Sequence, residues 1–297
     1  MNFFQIIDEI EKVDPEVYDR LDSRRAVFNS LRGIGQKLTL ATAPLALSAM
    51  FSKAYGQTST TPAAVKAVLE FALGLEDLEY QFYTQALAST ALTATLTGDG
   101  RKAITTIQTH EAAHKNFLRT ALGGATVAPA DLGAAPFDFT GSKGGTQTAL
   151  FPTVFTDYAT FLAVAQTLED TGVRAYKGGA PALKVSPDIL TAALNIHSVE
   201  ARHASHIRTM RRGLAGGVAG TPSLSASPKS WISGTDGGGP DSTKTAGNYA
   251  GEDLTTQATI NILTNSTPNV TAAQASEAFD EPLDSATVTM LASVFKK

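Results

Sequence analysis

The chain has 297 residues, a formal net charge of -4 and no cysteine. That length allows one large domain or two small ones. Without cysteine, disulfides, thiolate catalysis and Cys-ligated zinc or iron–sulfur sites are excluded, and no basic cluster marks a nucleic-acid partner. Any metal must be held by carboxylate and imidazole.

Residues 1–22 are acidic, with an apolar stripe of Phe3, Phe4, Ile6, Ile7, Ile10 and Val13. Ser23-Arg24-Arg25-Ala26-Val27-Phe28 follows and resembles a twin-arginine export signal. An uncharged stretch then runs from Leu38 to Ser52. It is short for a membrane span and suits the core of a signal peptide. Ala54-Tyr55-Gly56 offers small residues for cleavage before Gln57. Residues 1–57 therefore read as a leader, which makes the mature chain periplasmic or otherwise exported. The acidic residues ahead of the arginines keep a second reading open, an uncleaved amphipathic helix followed by a buried one.

Thr61-Pro62 predicts a helix start, with Thr as N-cap and Pro at the first turn. From there Val65, Val68, Leu69, Ala72, Glu76, Tyr83 and Leu87 recur at helical spacing. A carboxylate on a buried stripe is costly unless it is neutralised, paired or metal-bound. Glu76 is the candidate, because the Glu76-to-Tyr83 spacing returns as Glu169-to-Tyr176. Glu79, one turn on, has Gly172 as its counterpart and reads as a solvated surface acid.

A second helix is expected from about Arg101 to Leu122, ended by Gly123-Gly124. Ile104, Ile107, Glu111, His114 and Leu118 share one face, and a Glu and a His three apart project side by side. His110 points about 100° away and reads as a surface histidine, or as a group that orients a ligand from behind. Residues 123–152 are rich in Gly, Pro and Thr. A connection of that length suits a crossover along a bundle. The third helix is expected from near Pro152-Thr153 to about Tyr176, stopped by Gly178-Gly179-Ala180-Pro181. The fourth opens at Ser186-Pro187 and carries His197, Glu200, His203 and His206 before its basic end at Arg211-Arg212. His197 and His206 read as outer or surface groups.

The order is thus Glu-x6-Tyr, Glu-x-x-His, Glu-x6-Tyr, Glu-x-x-His. Glu76 and Glu111 are 35 residues apart, and Glu169 and Glu200 are 31 apart. One Glu-x-x-His is a weak signal, but two copies, each following a Glu-x6-Tyr, indicate a repeat of two helical hairpins. Four carboxylates with two imidazoles favour a pair of iron or manganese ions.

After Gly213 the composition shifts to Gly, Ser, Thr and Pro, without periodicity through about residue 250. Residues 213–297 read as an irregular extension. Asp253 to Leu263 suits a short helix or strand, and helices are expected over residues 271–279 and 284–295.

The phrases Leu75-Glu76-Asp77-Leu78-Glu79-Tyr80-Gln81-Phe82-Tyr83 and His110-Glu111-Ala112-Ala113-His114 resemble the ferritin-like superfamily of dinuclear carboxylate proteins. More narrowly they resemble exported ferritin-like proteins often labelled desiccation-related. The resemblance covers residues 62–212 and implies an all-α, ferritin-like four-helix bundle with one long crossover. It implies Glu76 and Glu169 as terminal carboxylates, Glu111 and Glu200 as bridges, and His114 and His203 each on one metal. Tyr83 and Tyr176 would lie beside the centre as hydrogen-bond donors or radical sinks. The implied cofactor is two iron ions, alternatively manganese, with oxygen or peroxide as partner and Fe(II) oxidation as one activity. Metal binding without turnover, and a protective envelope bundle, are the alternatives. The extension could join a second copy of the chain or an envelope partner.

Overall fold

The computed structural model describes residues 62–123, 137–213, 228–235, 242–257, 259–265 and 270–297. The leader expected over residues 1–57, the Thr61 cap and the first part of the crossover lie outside them. Four long helices dominate: α1 (Ala63–Ala88), α2 (Gly98–Ala121), α3 (Tyr158–Gly179) and α4 (Pro187–Arg212). α1 lies along α2 and α3 along α4, each pair a hairpin with a short connection. The crossover between the pairs makes the all-α bundle expected from the short, long, short spacing of the helices.

The helix ends show which local signals act. Pro62, expected inside the first turn of α1, stands one position earlier, at its N-cap. Ser186 occupies the N-cap of α4 without a side-chain bond, so Pro187 and the first-turn Asp188 carry that start. α3 begins at Tyr158, several residues later than expected. Asp157 is the reason: its carboxylate accepts from the Thr160 amide at 2.7 Å, while the turns before it bury Phe151 and Val154.

The end of α3 also departs from expectation. The helix runs past Tyr176 through Gly178 and Gly179 into a 3-10 segment, Ala180–Val185. A Cβ at Gly178 would sit 1.9 Å from the Leu283 carbonyl oxygen. The Leu283 amide donates to Arg174 O at 3.1 Å. Gly178 is therefore not a stop signal. It is a point where the C-terminal chain crosses the helix backbone.

The extension is folded onto the bundle at several points. α5 (Ser242–Tyr249) is a helix where an irregular segment was expected. A two-residue ribbon pairs β1 (Thr256–Gln257) with β2 (Ile260–Asn261), antiparallel. A single turn, Ile262–Asn265, follows. α6 (Ala272–Ser276) carries a capping box between Thr271 and Gln274. α7 (Ser285–Ala292) is capped by Asp284, and a 3-10 turn, Ser293–Phe295, ends it.

Aromatic rings tie these parts together. Phe82 of α1 meets Phe139 of the crossover at 5.1 Å and Phe161 of α3 at 5.4 Å, and Phe139 meets Phe295 at 5.7 Å. The crossover also bonds the C-terminus directly, Asp138 N donating to Phe295 O at 2.8 Å. Among the described residues no helix is long and apolar enough to cross a membrane.

Candidate metal centre

Each of the four long helices brings charged or polar side chains to one buried place. Glu76 comes from α1, Glu111 and His114 from α2, Glu169 from α3, and Glu200 and His203 from α4. The four carboxylates are fully buried, and both histidines are nearly so. The ligand-capable atoms of Glu76, Glu111, His114 and Glu200 all lie within 4.8 Å of one another, as do those of Glu111, Glu169, Glu200 and His203. The two groups share Glu111 and Glu200.

Both histidines face inward through Nδ1. His114 Nδ1 lies 3.2 Å from Glu76, 3.2 Å from Glu111 and 3.0 Å from Glu200. His203 Nδ1 lies 3.0 Å from Glu111, 3.2 Å from Glu169 and 3.8 Å from Glu200. His114 Nδ1 bonds Glu76 and Glu111, but the other contacts lack hydrogen-bond geometry. Glu111 Oε1, Glu169 Oε2, both oxygens of Glu200 and His203 Nδ1 have no partner of good geometry. Buried polar atoms are normally satisfied. Lone pairs that converge at contact distance without pairing are what a cation held between them would satisfy, so the donor set fits a metal.

The electrostatics agree. Burial pushes the Glu76 carboxyl up to about 8, against the opposing pull of His114. Burial likewise holds Glu169 well above the usual range. Glu111 and Glu200 move the other way: burial opposes ionisation, but the attraction of the close His114 and His203 imidazoles outweighs it and lowers both. Burial pulls both imidazoles down, yet the surrounding carboxylates raise them. In this protein the cluster thus carries protons that a bound cation would replace.

Tyr83 and Tyr176 sit beside the cluster in a crossed arrangement. Tyr83 donates to Glu169 Oε1 and Tyr176 to Glu76 Oε1. Each tyrosine therefore fixes the glutamate of the other Glu-x6-Tyr segment. Burial, then the facing carboxylate, raises both phenols well above 10, so both stay protonated donors.

Two residues differ from expectation or sharpen it. Glu79 is buried, not solvated, and its carboxyl is held well above the usual range by burial and then by Glu200 and Glu169. The space comes from Gly172: a Cβ there would stand 3.2 Å from Glu79 Oε1 and 3.5 Å from Glu200 Oε2. The pairing of Glu79 with Gly172 in the repeat was the signal that could have shown this. His110 is half-buried rather than on the surface, and its Nδ1 lies 2.9 Å from His203 Nε2. With the proton on His203 Nε2, that nitrogen donates to His110 and leaves the His203 Nδ1 lone pair facing inward. The structure does not bring His197 or His206 into the cluster; His197 Nδ1 bonds Val173 O at 3.0 Å.

No curated protein and no solved structure matches the chain. A family model described as a ferritin-like domain matches residues 65–212. Those residues hold the clustered side chains of all four long helices, and they form a domain of the ferritin-like superfamily.

Proposed function

We propose that the protein binds two iron ions, or two manganese ions, and handles dioxygen or peroxide, oxidising Fe(II) or a small reductant. The observation that supports this most strongly is the sharing of Glu111 and Glu200 by two four-residue groups. In this reading Glu76 and His114 would hold one ion and Glu169 and His203 the other, with Glu111 and Glu200 available to both. Two ions there would supply one electron each and open positions for an oxygen ligand.

The chain's own residues do the rest. The tyrosines hold the terminal carboxylates in place through Glu169 and Glu76. His110 fixes the ring of His203, with the two rings stacked at 5.2 Å. Full burial of the carboxylates excludes bulk water and strengthens every charge interaction. The test is anaerobic loading with Fe(II), followed by oxygen or peroxide. Oxidation faster than in buffer is the expected result, and a rate equal to buffer contradicts the redox reading.

A protective bundle stapled by metal, as in a desiccation-related role, is the second reading. The buried ion pair of Arg174 with Glu252, which clamps the extension to α3, favours it. It predicts that metal raises thermal stability while no turnover is found. We also read the protein as exported, on the twin-arginine-like Ser23-Arg24-Arg25 and the apolar stretch behind it. A mature N-terminus near Gln57 in the exported fraction is expected; an intact Met1 in the cytoplasm contradicts it.

A further inference from the structure

The layer of the bundle core next to the cluster is not completely filled. Ala72 stands four residues before Glu76, Leu118 four after His114, and Ile196 four before Glu200. Residues four apart share a helix face, so these side chains continue the ligand stripes of α1, α2 and α4 by one turn. With Leu75, Tyr176 and Leu183 they line a cavity of about 20 Å³. Val68, Phe117 and Ile189 also line it and are only half-buried, so they form its outer rim. The cavity therefore leads from the side of the bundle to the layer beside the cluster.

Every side chain that lines it is apolar except Tyr176, whose hydroxyl is taken up by Glu76 Oε1. A single buried water needs roughly 10–15 Å³ and about two to four polar partners. This cavity has the room and lacks the partners. An apolar cavity of this kind stays dry and takes up small apolar molecules such as xenon. Peroxide is the wrong occupant, because it would exchange its hydrogen bonds to water for none. Dioxygen is small and apolar, and it gives up no such bonds.

We propose that this cavity is a dioxygen site, which takes up the gas past its apolar rim and holds it against Tyr176, at the end of the cluster formed by Glu76 and His114. Tyr176 links the two directly, since it lines the cavity and bonds Glu76. The site selects dioxygen over peroxide by offering a polar molecule nothing. As the route of the oxidant it rests on the redox reading above; as a site for a small apolar gas it does not.

The experiment records methyl NMR spectra of the full chain under rising xenon pressure, with and without metal. Two variants of lining residues stand beside it, Ala193→Leu to fill the cavity and Leu183→Ala to enlarge it. The same spectra report whether each variant is folded. Saturable shifts of the Leu75, Leu118 and Ile196 methyl signals are expected in the parent chain, their loss in Ala193→Leu, and shifts at lower pressure in Leu183→Ala. Oxidation of loaded Fe(II) is then timed with dioxygen and with peroxide. Ala193→Leu is expected to lower the dioxygen rate more than the peroxide rate. No saturable shift at these methyls, or the same shifts in folded Ala193→Leu, overturns the gas site. Equal losses with both oxidants overturn its role as the route. A chain that binds xenon there but oxidises Fe(II) no faster than buffer sinks the redox reading alone. One that oxidises Fe(II) without xenon shifts sinks this inference alone.

Discussion

Glu76 and Glu169 are each held by the tyrosine of the opposite hairpin, so the centre is braced across the bundle rather than along one helix. A ligand whose orientation is fixed by an outer donor loses metal affinity when that donor goes, by about 10- to 100-fold. Tyr83→Phe and Tyr176→Phe should each lower metal affinity by about tenfold while leaving the fold intact. Competition with a coloured chelator measures this, and unchanged affinity in both would mean the tyrosines only fill space. The six clustered carboxylates and imidazoles could be named from the sequence because the same spacing occurs twice. Glu79 reads as a surface acid from its own helix, because the room for its carboxyl comes from Gly172, 93 positions away, and only their pairing in the repeat hints at it. The sequence around His110 allows two readings, because only the packing of α2 on α4 puts its ring against His203.

At the scale of elements, the extension is fixed by buried charge and a close backbone contact. Arg174 and Glu252 are fully buried and paired at 2.6 Å. Removing one member of a buried pair leaves the other uncompensated, at a cost of about 3–5 kcal/mol. Arg174→Ala should therefore loosen residues 248–252 and 281, seen as faster amide exchange there, while α1 and α2 stay protected. Gly178→Ala should act on the same segment by another route, since its methyl would overlap Leu283 O. If both variants exchange like the parent chain, the extension is not docked as described. These contacts explain what the sequence could not show. α5 is short and polar, and its buried Tyr249 is anchored by Asp170, 79 positions away. Gly178-Gly179 looks like a helix stop until the strand of chain that crosses it is known. The long helices were legible because their apolar stripes repeat over many turns, and α6 and α7 because Thr271 and Asp284 are capping residues.

For the whole molecule, the cluster couples stability to pH and to metal. Glu76, raised to about 8, stays protonated in the native state where the unfolded chain has lost that proton. Glu79 and Glu169 are raised too, and His114 and His203 are raised above 6.5. Each makes the native state bind more protons than the unfolded one, so each contribution is lost as pH rises. Glu111 and Glu200 are lowered, which affects only more acidic solutions. The metal-free protein should therefore lose stability from about pH 5 to 8, and its metal affinity should rise over the same window as protons leave the ligands. Melting curves across that range check the sign; a metal-free protein that gains stability with rising pH contradicts it. The most direct test of the central claim is elemental analysis of the purified protein beside a Glu111→Ala/Glu200→Ala variant. About two iron or manganese ions per chain, lost in the folded variant, is the predicted result. Metal absent from both, with both equally folded, would contradict a dinuclear centre.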